Sequence, residues 1–285
     1  MIIWSFVPFF AFSQTNNRYP TTFGHYIIAP FTINPVNAMS DVNTQISLGN
    51  QENVGPLRRI RSYYLYAAVN IYKNEKGARN HLGVYATNER DGEYISRAKL
   101  YLNYSWHTKL REKLWIGAGS YLGFINYNFI GTSSTAGGSD IAPDGSLGIL
   151  LYNEKFKFGL SGNQIFSSSL QPIVNIYKFP IFYNLTFERS FFVSPYVTLQ
   201  PYIFLSWKKS NQLVDINLGI LSLIHDRLKI GSSYTHHRMV SFLLGVENIK
   251  IEKHFFRFYV CYNQPTSLYN ILQSIELSIN YLHKK

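Results

Sequence analysis

Three kinds of feature are scarce in this 285-residue sequence, and each scarcity narrows the choice of fold. Cys261 is the single cysteine, so no internal disulfide can form and no cysteine-rich spacing suggests a zinc site. Charged residues make up 15% of the chain, which is low for a soluble domain. No stretch contains the run of about 18 apolar residues that a transmembrane helix needs. The sequence therefore disfavours both a disulfide-stabilised domain and a helical membrane protein.

The charge that is present is mainly positive, with 27 Lys and Arg against 16 Asp and Glu, a formal net charge of +11. Such a balance raises nucleic acid or an acidic membrane surface as a partner. The cations do not form one patch or helix face, however, but recur at the ends of predicted strands. Because no nucleic-acid motif accompanies them, we predict no nucleic-acid partner.

Hydrophobic residues form 46% of the chain and occur in many short segments in which apolar and polar residues alternate. In the last segment, Ile275, Leu277, Ile279 and Tyr281 alternate with Ser274, Glu276, Ser278 and Asn280. Because successive side chains of a strand point to opposite faces, this pattern describes sheets that are apolar on one face and polar on the other. The predicted strands cover about residues 43–51, 60–72, 81–88, 94–106, 113–128, 145–152, 155–163, 177–190, 195–208, 211–222, 226–235, 238–247, 253–263 and 272–283.

The connections between the predicted strands alternate in length. Every second link is a short, charged turn, whereas the links between them include the longest ones, residues 130–144 and 164–176. Short turns at one rim, longer loops at the other and an even strand number are the layout of bacterial outer-membrane barrels. We therefore predict an all-β fold, an antiparallel transmembrane β-barrel of about 14 strands over residues 43–285, with both termini in the periplasm.

The alternative fold is a soluble antiparallel barrel or a two-sheet sandwich, whose apolar faces would point inward. The predicted strands are long enough to cross a bilayer at a tilt. Aromatic residues also concentrate near predicted strand ends, as in the girdles of membrane barrels. These residues are Tyr104, Trp106, Tyr127, Phe191, Phe192, Trp207 and Tyr281. We therefore favour the membrane barrel, with the apolar rows facing lipid and the polar rows facing the lumen.

The first residues resemble an export signal rather than a strand. Residues 1–13 form an apolar run that ends in a small-residue cleavage site, although no Lys or Arg precedes it. We predict that residues 1–13 are a signal peptide, cleaved between Ser13 and Gln14. The alternative is a buried first strand.

Residues 14–42 contain two prolines five residues apart, Pro30 and Pro35. Proline removes a backbone donor and disfavours both helix and strand, so this segment is not predicted to be part of the wall. We predict that it is a plug or a periplasmic cap, or a partner-binding segment, with Pro30, Asn34 and Pro35 as its marker residues.

Two features of the predicted luminal faces bear on this segment. Gly117, Gly119 and Gly123 form a row in the fifth strand where another backbone or a plug could approach closely. The charged residues predicted to face the lumen are Arg97, Lys99, Arg257 and Glu276. They would either line a pore or form buried pairs in a filled barrel, and the small interior of such a barrel favours pairing.

No catalytic or metal-binding constellation accompanies the strands. His236 and His237 are adjacent, and neighbouring side chains on an extended backbone point in opposite directions, which suits a loop better than a metal site. No serine has the spacing of a nucleophile elbow. We therefore predict no enzyme activity and no catalytic, cofactor or metal site.

The segment Ile-Asn-Pro-Val-Asn-Ala at residues 33–38 resembles the Asn-Pro-Ala-Tyr-Ala-Gly signature of the PorP/SprF family of Bacteroidetes outer-membrane proteins, and Pro30 adds a second match. The similarity continues through residues 81–92, 145–161, 221–233 and 240–246. The chain departs from the family pattern at Asn37, where Tyr is usual, at Met39, where Gly is usual, and at residues 50–55, which lack the usual Arg and Trp.

This resemblance implies a non-enzymatic component of, or cargo partner for, the type IX secretion and gliding-motility apparatus in the bacterial outer membrane. The implied partners are outer-membrane lipid, other type IX secretion or gliding proteins, and a large secreted adhesin. Both a core translocon subunit and a cargo-specific paralogue fit the resemblance. A channel or transporter for small solutes is the alternative function, and an outer-membrane hydrolase is a third.

Overall fold

The described part of the chain folds mostly into strands. The computed structural model describes residues 28–36, 42–74, 77–133, 136–173, 176–209, 213–236, 239–266 and 273–284. The strands are β1 (Thr44–Asn53), β2 (Arg61–Lys73), β3 (Arg79–Asp91), β4 (Ile95–Arg111), β5 (Leu114–Phe129), β6 (Gly138–Tyr152), β7 (Phe156–Asn163), β8 (Ser169–Leu170), β9 (Tyr177–Lys178), β10 (Phe182–Arg189), β11 (Phe191–Ser194), β12 (Val197–Lys208), β13 (Leu213–Ile224), β14 (Leu228–Thr235), β15 (Met239–Ile251), β16 (His254–Pro265) and β17 (Ser274–His283). Two short 3-10 helices cover Pro30–Thr32 and Gly55–Leu57. Within these ranges, no helix has the length and apolarity needed to cross a bilayer.

The strands form a closed antiparallel barrel of 14 strands. Each wall strand pairs with its neighbours along the chain, β1 pairs with β17, and β10 joins β7 to β12 and so completes the ring. The short strand β11 pairs with the part of β12 that lies beyond the end of β10. The strands β8 and β9 pair with each other and form a separate hairpin. The predicted all-β barrel of about 14 strands is confirmed.

Apolar side chains face outward and polar side chains face the lumen. In β17, Ile275, Leu277 and Ile279 are 40–48% exposed, whereas Ser274 and Glu276 are buried. The same alternation runs through β14, β15 and β16. In lipid an apolar outer surface costs nothing to expose, and a closed ladder leaves no backbone group unpaired. The predicted assignment of the two faces is therefore correct.

The barrel has two different rims. Thr44, the first residue of β1, lies opposite His283, the last residue of β17, so the wall begins and ends at one rim. We call this the turn rim, because two-residue turns at residues 112–113 and 252–253 lie there. The opposite rim, here the loop rim, includes the long connections after β5, β7 and β16. The alternation of short and long links matches the prediction.

Two of the predicted strands start five or more residues away from the observed wall strand. β6 begins at Gly138 rather than at residue 145, because its ladder with β5 continues to the pair Phe129 and Gly138. The glycines and Pro143 there suggested a loop. The predicted strand 177–190 is interrupted: β9 pairs with β8, and the wall strand begins only at Phe182, after Pro180. Proline lacks the donor that a continuous ladder would need.

Most of the predicted girdle aromatics lie on the outer surface. Tyr104, Trp106, Phe192 and Trp207 are exposed, as expected for an interfacial girdle. Tyr127 does not belong to this group. It is buried on the inner face in a cluster with Ile125, Ala142, Leu170 and Phe179, since its position in β5 has inward parity.

Candidate functional site in the barrel lumen

Residues 28–36 lie inside the barrel, and we call them the luminal segment. Phe31 and Val36 are fully buried, and Asn34 is 1% exposed. The Pro30–Thr32 turn is closed by hydrogen bonds from the Thr32 N–H and hydroxyl to the Ala29 carbonyl. Proline fits the first turn position because no partner is needed for its missing N–H. The segment is therefore compact, and its side chains and carbonyl groups contact the wall of the barrel.

Phe31 anchors the luminal segment in a pocket of tyrosines. Its ring stacks on Tyr66 with the centroids 4.3 Å apart and the planes 9° from parallel. Tyr64 and Tyr85 meet it edge-on, at 5.5 and 5.9 Å. Such ring pairs add to the free energy gained from burying the apolar surface. The aromatic contact holds the segment against β2 and β3.

Side chains of the wall donate hydrogen bonds to alternate carbonyls of the luminal segment. Buried carbonyls without partners are costly, and this arrangement satisfies three of them. The bonds are Tyr121 Oη to Phe31 O at 2.8 Å, Ser161 Oγ and Asn163 Nδ2 to Ile33 O at 2.8 and 3.1 Å, and Asn103 Nδ2 to Pro35 O at 3.0 Å. Donors from β4, β5 and β7 therefore hold the segment on several sides.

Asn34 makes the reciprocal contacts. Its Nδ2 donates to the carbonyls of Ile149 and Leu160, at 3.0 and 3.2 Å, on the adjacent strands β6 and β7. Its Oδ1 accepts the N–H of Val36 at 3.0 Å, which closes a local turn. One side chain thus joins the luminal segment to two strands and shapes its end.

Wall glycines make room for the segment. A Cβ at Gly148 would overlap Asn34 Oδ1, and one at Gly117 would lie 2.5 Å from Val36 Cγ1. Gly119 also faces Val36, so two glycines of the predicted row do admit another part of the chain. Gly123 instead faces the backbone of β4.

The Gly148→Ala substitution is expected to weaken docking of the luminal segment by about 1–3 kcal/mol, the usual cost of overpacking. The added methyl group would displace Asn34 and weaken its bonds to β6 and β7. Hydrogen exchange of the amides of residues 28–36 measures the effect. Gly162→Ala is the matched control, because its Cβ would meet nothing closer than 3.6 Å. Equal exchange in both variants would contradict this packing.

The structure places the predicted marker residues together in the lumen. Pro30 begins the 3-10 turn, and Asn34 and Pro35 are buried near the other end of the luminal segment. Ser13 and Gln14 lie outside the described residues, as does His237. The tyrosines and amides of the wall that hold the segment were not predicted, since their partners lie far away in sequence. No group of three or more His, Cys, Asp or Glu that could hold a metal occurs in the described part of the chain.

The predicted luminal cations form ion pairs with carboxylates of neighbouring strands. Arg97 and Lys99 share Glu89, at 3.4 and 3.7 Å, and Arg97 also contacts Asp91. Arg257 lies 3.8 Å from Glu247, which also binds Lys229 Nζ at 2.7 Å and the Tyr259 hydroxyl at 2.8 Å. Glu276 accepts a hydrogen bond from Asn263 Nδ2 at 2.6 Å. Arg97, Lys99 and Arg257 thus pair with carboxylates inside the barrel, which is the arrangement that the sequence analysis favours.

A recess opens from the luminal segment toward the loop rim. Together with the adjoining open solvent, the recess comprises about 640 Å³. Thr32 and Ile33 lie at its base, and its walls combine tyrosine rings, hydroxyls, amides and the Glu89–Lys99 pair. These groups can donate and accept hydrogen bonds and make aromatic contacts. We call this the loop-side recess.

The fold is similar to that of several solved barrels. The toluene transporter TbuX of Ralstonia pickettii aligns with a TM-score of 0.59 and 11% identity, over 90% of this chain and 93% of that one. The toluene transporter TodX of Pseudomonas putida gives 0.53 and 12%, over 89% and 92%. A FadL homologue of Pseudomonas aeruginosa gives 0.52 and 8%, over 88% and 92%. At these identities the likeness concerns the fold, which is that of an outer-membrane barrel.

Sequence comparison identifies the family. No curated protein sequence matches the chain significantly. The family model described as type IX secretion system membrane protein PorP/SprF matches residues 15–281. That match contains the luminal segment and every wall strand up to β17. The protein is therefore an outer-membrane β-barrel that belongs to the PorP/SprF family of type IX secretion system membrane proteins.

Proposed function

We propose that this barrel is a non-enzymatic part of the type IX secretion or gliding apparatus that binds a secreted adhesin or a translocon subunit. The observation that carries the proposal is the filled lumen. Carbonyls of Phe31, Ile33 and Pro35 accept hydrogen bonds from the wall, so the luminal segment is held across the middle of the barrel. A barrel that is filled in this way offers binding surfaces at its two ends rather than a continuous pore.

The proposal includes an orientation in the membrane. Outer-membrane barrels have short turns and both termini on the periplasmic side and longer loops outside. By that rule the turn rim faces the periplasm, and the loop-side recess faces the cell exterior. A translocon subunit would then meet the turn rim, while an exported protein would meet the loop rim.

Affinity purification in mild detergent, followed by mass spectrometry, tests the proposed binding role. We expect another type IX secretion or gliding protein, or a large secreted protein, to co-purify with the tagged barrel. A second outer-membrane barrel carrying the same tag serves as the control. Recovery of the protein from the soluble periplasmic fraction would contradict the proposal, as would unchanged display of surface proteins in a deletion strain.

A channel for small solutes is the second candidate function. Its support comes from the fold, which resembles barrels described as toluene transporters, and from the loop-side recess. Reconstitution in planar bilayers separates the two functions. The binding role predicts a silent barrel, because the luminal segment occupies the pathway. Steady conductance of the wild-type protein would favour the channel.

A further inference from the structure

Cations line the inner face of the barrel at the turn rim. Residues that lie directly opposite each other on antiparallel strands face the same side of the sheet. Lys73 lies opposite Arg79, and Arg79 lies opposite His107, which is fully buried in the lumen. Lys109 lies opposite Trp115, and the charged groups of both Arg79 and Lys109 lie over its ring, at 5.4 and 5.3 Å. These three cations therefore point toward the mouth rather than toward lipid.

The same inner row continues around the barrel. Trp115 lies opposite Tyr152, which lies opposite Lys157. On the other side of the mouth, Lys250 lies opposite Phe255. Phe255 in turn lies opposite Leu282, which is fully buried inside the barrel. Lys284 Nζ is 4.9 Å from the Phe255 ring centroid. The resulting cluster, here the basic mouth, consists of Lys73, Arg79, Lys109, Lys157, Lys250 and Lys284.

Four of the five lysines of the basic mouth have no carboxylate partner among the described residues. Lys157 is 3.4 Å from Glu188. Lys73, Lys109, Lys250 and Lys284 form no ion pair with a carboxylate among the described residues. Lys73, Lys109 and Lys250 are also exposed, so an approaching molecule can reach them. Several like charges around one opening repel one another and create a positive potential at the mouth.

The inner face near the loop rim has the opposite balance. Its carboxylates include Glu89, Asp91, Asp140, Asp144, Asp215 and Glu276, and its cations include Arg97, Lys99 and Lys208. These cations lie beside carboxylates, as with Lys208 and Asp215 at 3.7 Å. The inner face is therefore more basic at the turn rim than at the loop rim.

The position of the cations indicates what can bind them. Lipid headgroups surround the outer wall, whereas the basic mouth faces the barrel axis and is reached from the aqueous phase. The cations come from β2, β3, β4, β7, β15 and the end of the chain, so a ligand must be extended to meet several of them. Trp115, Tyr152 and Phe255 lie between them and offer apolar contacts. An acidic polypeptide combines these properties.

We propose that the basic mouth binds an acidic polypeptide segment of a partner on the turn-rim side. This inference rests on the proposed function, in which the barrel acts by binding a protein. It adds the chemistry of the partner and the residues that receive it. Complementary charge would speed association and select the partner, as at other charged interfaces.

Binding of fluorescein-labelled poly-L-glutamate to the full-length barrel in a zwitterionic detergent, followed by anisotropy, tests the inference. We expect the triple variant Lys73→Gln, Lys109→Gln, Lys250→Gln to bind about tenfold more weakly than the wild type, and salt to weaken wild-type binding. The matched control is Arg58→Gln, Arg90→Gln, Lys178→Gln, which removes exposed cations outside the basic mouth and should bind like the wild type. The heat-dependent shift of the barrel band in gel electrophoresis verifies folding of both variants.

Unchanged binding by the triple variant, or no binding of poly-L-glutamate by the wild type, would overturn the inference. So would tighter binding to phosphatidylglycerol vesicles or to inorganic polyphosphate than to poly-L-glutamate. The co-purification experiment distinguishes this failure from failure of the proposed function. If a partner co-purifies with the triple variant as it does with the wild type, the proposed binding function stands, but the basic mouth is not its binding site.

Discussion

Replacing Phe31 with alanine is expected to cost about 3–5 kcal/mol of the free energy that docks the luminal segment, the usual range for truncating a buried phenylalanine. The ring is fully buried, stacked on Tyr66 and met edge-on by Tyr64 and Tyr85. Its removal leaves a cavity between the segment and β2, while the hydrogen bonds to the carbonyls remain. We therefore expect frequent undocking of residues 28–36 from a barrel that stays closed.

Two measurements on the Phe31→Ala variant test this expectation. Hydrogen exchange of the amides of residues 28–36 should accelerate by several orders of magnitude, while exchange in the wall strands stays slow. In planar bilayers the variant should show transient openings that the wild type lacks. Phe192→Ala is the matched control, because that ring is 65% exposed at the rim. Wild-type exchange in Phe31→Ala would mean that the aromatic pocket does not hold the segment.

The second large effect is expected at Glu247. Its carboxylate is 5% exposed and binds Lys229, Arg257 and the Tyr259 hydroxyl. Removing one partner from a buried ion pair costs about 3–5 kcal/mol, because it leaves charge without compensation in a poorly hydrated site. Glu247→Ala leaves two cations beside each other on the inner face, so we expect the barrel itself to be destabilised.

Urea-induced unfolding in lipid vesicles, followed by tryptophan fluorescence, measures the effect of Glu247→Ala. The midpoint should fall well below that of the wild type. Glu252→Ala, at an exposed turn of the same hairpin, should behave like the wild type. The double variant Glu247→Ala, Lys229→Met should recover part of the loss, since one stranded cation is removed. A wild-type midpoint for Glu247→Ala would show that water solvates these charges.

Most of the wall was predictable because a strand has a period of two. In β17 the exposed row of Ile275, Leu277 and Ile279 and the buried row of Ser274 and Glu276 are the rows that the sequence separates. The predictions failed where local composition and long-range pairing disagree. Glycines and Pro143 suggested a loop at a place where β5 provides a complete ladder for β6. An aromatic residue near a strand end predicts a girdle position for Tyr127, although its parity in β5 turns it inward.

The luminal site was only partly predictable. Two prolines showed that residues 28–36 are not wall, and Asn34 and Pro35 drew attention through family resemblance. The partners of these residues carried no comparable signal. Asn34 donates hydrogen bonds to backbone carbonyls on β6 and β7, more than a hundred residues away in the sequence. Because every residue has a backbone carbonyl, the sequence does not indicate which ones accept these bonds. Only the row of glycines indicated where another segment could approach.

The sequence by itself determined the strands, their inward and outward faces, the closed antiparallel wall and the family, because each of these depends on local periodicity or on residue order. Tertiary structure alone decided what occupies the lumen and how charge is distributed along it. Phe31 reaches its tyrosines only when residues 28–36 enter the barrel, and Lys73, Lys109 and Lys250 lie around one mouth only when β1 pairs with β17. Contacts across a barrel join residues from distant parts of the chain, so no local pattern records them.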